Sequence, residues 1–257
     1  MSTPAPAPQK RCCGCLLPLF LVLGVFVAIG GLLWPAIESA REAARRANCI
    51  GQNKFFGLAI HTYVDSKGYF PSAYIADKQG RPAHSWRVVL LQMDMVPLYE
   101  RYRFDEAWDS PHNRDLAGGL PMGMSGVYPW YHCATDRGSG GLDTSYVMVV
   151  GPDTISPGPK SRRLKEITDG ISNTAIIGEM SESGIHWMEP RDLDFQNMSF
   201  KINDKNGQGI RSKHPGIATV VFADGGVRSL SEDTDPEIVR ALFTINGGKR
   251  VPWEVFQ

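Results

Sequence analysis

The stretch from Leu16 to about Tyr63 constrains this chain most. It opens with an uncharged apolar run, Leu16 to Trp34, and continues through Pro35 into AIESAREAARRANCIGQNKFFGLAIHTYV. A bilayer crossing needs about 20 apolar residues at 1.5 Å each, and the run is about that long. A cleaved secretory signal would have a shorter apolar core and end in a small-x-small site. Leu32, Leu33, Trp34 and Pro35 are a poor cleavage site, so a retained anchor is the better reading.

Beyond Pro35 the pattern is helical. Glu38/Arg41, Glu42/Arg45 and Glu42/Arg46 stand at three- and four-residue steps, where helical side chains meet. Cys49, Phe56, Ala59, Ile60 and Tyr63 share one stripe, which places Cys49 on the core face. Gly68 and Pro71 end the helix. The chain therefore divides into a disordered tail (1–15), a transmembrane helix (16–34) and a folded domain (35–257) whose spine helix covers 35–66.

Ser85 to Tyr102 reads as a buried helical segment broken at Pro97, and the chain then becomes loop-rich. Thr144–Gly151 and Thr174–Glu179 are strands, the second entered through the Asp169-Gly170 turn. The segment from Gly216 to Glu232 is a hairpin whose Asp224-Gly225 suits a two-residue turn. A closing helix starts near Pro236, with Gly247-Gly248 past its end. A long helix followed by mostly antiparallel strands is an α+β fold, with the spine helix packed on the sheet.

The formal net charge is zero and the two signs are interspersed, so no single-sign field exists to gather nucleic acid. Cys12, Cys13 and Cys15 crowd the foot of the apolar run and read as reduced thiols at the membrane face, with lipid attachment or metal binding as the alternatives. If the domain is exported, Cys49 and Cys133 are the natural disulfide pair.

The order of blocks along the chain resembles a bacterial family of pilin-like proteins of unknown function, known by its DUF1559 domain and a carboxyl-terminal H-x9-DG signature. Here the signature is His214 followed, nine residues on, by Asp224-Gly225. The spine helix, SWRVVLL, WDSPHN, TSYVMVVG, ITDGISNTAIIGE and LFTINGGK agree in order. The resemblance implies a relative of type IV pilins and type II secretion pseudopilins. It implies an amino terminus in the cytoplasm and a domain outside the inner (cytoplasmic) membrane. It also implies a bilayer partner along Leu16–Trp34 and pilin-like or secretion-system subunits as protein partners. Relatives carry a leader glycine and, soon after it, a glutamate that a prepilin peptidase site and fibre assembly use. Cys13 and Pro18 stand at those places, so an uncleaved single-pass anchor is expected.

Within the resemblance, His214, Asp224, Gly225, Asp169, Gly170, Asn173 and Glu179 are signature residues with structural roles. His214 and Asp224 invite a catalytic reading, but Asp224 sits where a turn needs Asp before Gly. Glu179 with His186 and Glu189 could suggest a metal or acid/base site, yet no H-E-x-x-H or comparable pair occurs. Asp192/Asp194 and Asp233/Asp235 are closely spaced oxygen donors that could hold Ca2+ in loops. Trp86, Trp108, Trp130, Tyr131 and Trp187 read as anchors of core and loops rather than a sugar platform. The loops 108–141 and 188–209 are the expected contact surfaces. The reading is a non-enzymatic structural or interaction protein without a required cofactor. A Ca2+- or polysaccharide-binding module on the same fold is the alternative, and a hydrolase using His214, Asp224 or Glu179 ranks below it.

Overall fold

The structure is a computed structural model that describes residues 16–118, 131–136, 141–248 and 251–256. The tail, Cys12, Cys13, Cys15 and Trp130 lie outside the described residues. The chain forms two units, Met1–Ala44 and Arg45–Gln257. The boundary falls inside the long helix, ten residues beyond the Trp34/Pro35 division read from composition.

That helix, α1 (Leu16–Lys67), is continuous and carries Pro35 within it. It ends where Gly68 takes a left-handed φ of 80° and donates its amide to the Val64 carbonyl. In the first unit the apolar side chains stand exposed. Phe26 is 69% exposed and Leu32 80%. This apolar stretch is not buried among the described residues, and the helix is long and apolar enough to cross a membrane.

In the second unit the stripe Cys49, Phe56, Ala59, Ile60 and Tyr63 is buried. A hairpin of β1 (Tyr74–Ala76) and β2 (Pro82–Ser85) follows α1. Ser85 then caps α2 (Trp86–Asp94) by accepting the Arg87 amide, and α3 (Val96–Arg101) succeeds it. The break lies at Met95, two residues before the expected Pro97. The reason is local: proline is tolerated in a helix's first turn, so Pro97 starts α3 instead of ending α2. Ser110 likewise caps α4 (Pro111–Leu116).

The main sheet holds β3 (Tyr146–Val150), β4 (Ala175–Glu179), β5 (Leu193–Asp194), β6 (Ile217–Phe222) and β7 (Val227–Ser231). Its order is β5-β3-β4-β6-β7, antiparallel except for the short β3–β5 pair. Both faces are covered, so alternate side chains enter different cores. Tyr146, Met148 and Val221 join the α1 side. Val147, Val149, Val220 and Phe222 join a second core closed by α5 (Pro236–Leu242). Asp235 caps α5 by accepting the Glu237 amide. The architecture is α+β with a long amino-terminal helix.

Two expectations from the sequence need correction here. The β6–β7 connection is not a two-residue Asp-Gly turn. The Gly225 amide donates to the Phe222 carbonyl, the Phe222 amide donates to the Gly226 carbonyl, and Gly225 has φ 77°. That is a three-residue loop with a left-handed glycine, the next commonest hairpin closure. Segment 188–209 is also not wholly a surface loop: Met188, Leu193, Phe195, Met198 and Ile202 are buried, while Asp194, Gln196, Lys201 and Lys205 stay exposed. Its apolar residues are spaced irregularly among polar ones, so no strand or helix period announced the burial.

Gly57 of α1 lies directly against the hairpin loop. A Cβ on Gly57 would stand 2.3 Å from the Gly225 carbonyl oxygen. The contact is backbone to backbone and cannot relax by rotating a side chain. Gly57→Ala will therefore destabilise the domain by about 1–3 kcal/mol through overpacking, read as a lower midpoint in urea. An unchanged midpoint would show that helix and hairpin separate freely.

Candidate functional site

The signature residues gather around α1, β4 and β6 but do not converge on one point. Asp224 belongs to the hairpin loop, where its Oδ1 accepts the Gly226 amide at 2.8 Å and its carboxylate meets Arg228. His214 precedes β6 at the opposite end. Strand β6 separates the two, on the order of 17 Å at 3.3 Å per residue. His214 and Asp224 therefore do not face each other across one site. Asp169 accepts the amides of Gly247 and Gly248 at 2.6 and 2.9 Å, fastening the segment after α5. Gly170 supplies φ 91° to that turn, and Asn173 donates back to the Asp169 carbonyl.

Glu179 is the most enclosed of the set. Its Oε1 accepts the Ser212 hydroxyl at 2.6 Å, and its Oε2 accepts both the Thr219 amide and hydroxyl. The Thr219 hydroxyl in turn accepts Asn53 Nδ2 of α1 at 2.9 Å. A buried polar chain thus runs from the spine helix through β6 and β4 to Ser212. The suggested partners of Glu179 are elsewhere. His186 lies between the rings of Trp108 and Trp187, and Glu189 binds Arg191. Glu179 bonds to Ser212 and Thr219, whereas Glu189 accepts the His186 amide at 3.3 Å.

Cys49 and Cys133 are joined by a disulfide with Cα atoms 5.4 Å apart. His214 Nε2 stands 3.5 Å from Cys133 Sγ, and all three residues are buried. They form the one cluster of three metal-ligand side chains among the described residues. Both sulfurs are engaged with each other, so the cluster acts as a covalent clamp with a histidine packed on it.

Burial raises the Glu179 carboxyl above its ordinary value, opposed by the Ser212 and Thr219 donors and by nearby His214. Glu179 therefore binds its proton more tightly folded than unfolded. Its contribution favours folding fully below pH 4.5 and declines as pH rises through the folded value. Glu179→Gln removes this titration. The melting temperature of the variant relative to the parent will rise as pH increases above 4.5. A constant difference across that range would contradict the assignment.

The four aspartates read as possible Ca2+ donors are dispersed in role. Asp192 is not a loop donor: its Oδ1 accepts Arg87 Nη2 at 2.7 Å, Trp86 Nε1 at 3.1 Å and the Met148 amide at 2.9 Å, all buried. Asp194 closes a local turn onto the Gln196 amide, and Asp235 caps α5. Asp233 is exposed.

Sequence reasoning missed Arg87, whose side chain is fully buried; it also donates to the Tyr146 carbonyl and the Ser85 hydroxyl. One signal existed, a lone cation inside the apolar run Trp86–Leu91. It also missed an open groove of about 710 Å3 between the β1–β2 hairpin and segment 104–109. A second depression of about 480 Å3 lies over Ser212 and His214, rimmed by the Lys213–Glu182 ion pair. Trp86, Tyr131 and Trp187 are core residues, whereas Trp108 is half-buried and lines the larger groove.

No curated protein and no solved structure matches this chain. A family model described as a protein of unknown function (DUF1559) matches residues 38–162 and 182–237, which include α1 beyond Ile37, the disulfide, His214 and the hairpin. The protein belongs to the DUF1559 family.

Proposed function

We propose that this DUF1559 protein is a single-pass, pilin-like structural or interaction module, anchored in the inner membrane with its folded domain displayed outside. One observation carries the reading, the change of character along α1. Its first part presents apolar side chains that stand exposed among the described residues, and its later part supplies a buried stripe to a disulfide-clamped domain. An exposed apolar surface of this size calls for a partner, and a bilayer or a bundle of like helices provides one. A disulfide persists in oxidising compartments, which supports export of the domain. The function is mechanical and non-catalytic: the histidine and carboxylates of the signature are spent on a clamp, a turn and a buried hydrogen-bond chain. It requires no cofactor.

The mass of the amino-terminal peptide from native membranes tests this. A peptide that retains the CCGC segment supports a permanent anchor. A methylated start near Cys15 would make the protein a processed fibre subunit. A start beyond Trp34 would overturn the anchor altogether.

A further inference from the structure

We propose that the groove between the β1–β2 hairpin and segment 104–109 binds an uncharged, N-acetylated glycan chain. This activity goes beyond the anchoring role and does not depend on it. The groove's volume of about 710 Å3 lies within the range of ligand sites, roughly 300–1,000 Å3. Stable protein partners instead bury about 800 Å2 each, across a broader surface.

The loop that forms one wall is built to hold its shape. Asn113 is fully buried, accepts the Arg103 amide at 3.0 Å, and donates to the Arg103 and Ala107 carbonyls at 2.9 Å each. The Ser110 hydroxyl donates to Glu106, and His84 Nε2 lies 3.0 Å from the Phe104 carbonyl. Burial lowers the His84 pKa, which favours its neutral ring. The Phe104 ring meets Tyr102 at 4.9 Å and His84 at 5.2 Å, and Trp108 rests on His186 at 5.3 Å. A wall fixed in advance loses little freedom when a ligand docks.

The lining chooses the ligand. Ile75, 39% exposed, lines the groove together with the apolar Pro82, Phe104 and Trp108. Such an apolar lining can cover the C–H face of a pyranose ring and an acetamido methyl. Asp77, Asp105, Glu106 and Asp109 outnumber Lys78 and Arg81 on the rim. Asp77 is bound to Arg81 and Glu106 to Arg103, while Asp105 and Asp109 are in no ion pair among the described residues. Their carboxylates can accept hydroxyl and amide N–H groups, and the excess negative charge rejects anionic glycans.

The test is titration of the full-length protein, held in lipid nanodiscs, with chitohexaose, followed by tryptophan fluorescence and calorimetry. Saturable binding is expected, weakened about tenfold or more by Trp108→Ala, Ile75→Asp and Asp109→Asn. Ile75 and Asp109 are surface residues, so those variants keep the fold if Trp108→Ala does not, and melting curves verify it. Absence of saturation, or parental affinity in folded Ile75→Asp and Asp109→Asn, would overturn the proposal. Equal affinity for cellohexaose, or displacement of chitohexaose by pentalysine, would overturn it in favour of a plain glucan or a cationic peptide.

Discussion

Replacing Cys49 and Cys133 together by alanine will lower the unfolding free energy by about 4–5 kcal/mol. The figure follows from a chain-entropy estimate for closing a loop of 84 residues. The bridge ties α1 to the segment before β3, so without it the unfolded chain gains far more freedom than the folded one. Two further effects act in the same direction. The Cys133 amide donates to the Ser145 hydroxyl, and His214 packs on the Cys133 sulfur, so truncation disturbs a buried polar neighbourhood. Urea unfolding of the detergent-solubilised chain, followed by circular dichroism, reads the effect as a lower midpoint. A loss below about 1 kcal/mol would mean that α1 and the Cys133 segment stay associated in the unfolded chain.

The second large effect belongs to Asp192. Substitution by alanine will cost about 3–5 kcal/mol, because it leaves the Arg87 guanidinium buried without a counter-charge. Arg87 is covered completely and stacks over the Trp86 ring at 4.7 Å, so it cannot turn to water. Nor can it shed its proton at any relevant pH. The reverse substitution differs in kind. Burial already raises the Asp192 carboxyl above its ordinary value, against the pull of Arg87, so once Arg87 is replaced by methionine the acid can be neutralised by a proton. Arg87→Met will therefore be tolerated near pH 5 and become increasingly destabilising toward pH 8, whereas Asp192→Ala will be costly throughout, on the order of the 3–5 kcal/mol above. Equal pH profiles for the two variants would refute the asymmetry. Urea midpoints at several pH values decide it.

The parts of this fold that carry a local signal were legible from the sequence. The α1 stripe follows helical spacing, the strands β3, β4 and β6 are short runs rich in branched apolar residues, and their burial agrees. The caps Ser85, Ser110 and Asp235 use ordinary N-cap residues, two of them followed by proline. What stayed hidden depended on contacts distant along the chain. Asp192 reads locally as an acidic loop residue. Only the fold brings it to Arg87, some hundred positions earlier. Asn113 reads as a helix-start asparagine, and nothing local shows that it braces the Phe104–Trp108 wall. His214 and Asp224 belong to one signature in the sequence, but β6 lies between them and holds them apart.

The central claim is a membrane anchor with the domain outside, and a single exposed reporter tests it. Leu164 is 43% exposed in the folded domain, so Leu164→Cys, in a chain whose Cys12, Cys13 and Cys15 are replaced by serine, places the one accessible thiol there. The variant is expressed in native cells, and intact spheroplasts are treated with a membrane-impermeant maleimide. The account predicts full labelling before any permeabilisation, with the protein retained in the membrane fraction. Labelling that appears only after the membrane is opened would place the domain inside and contradict the account.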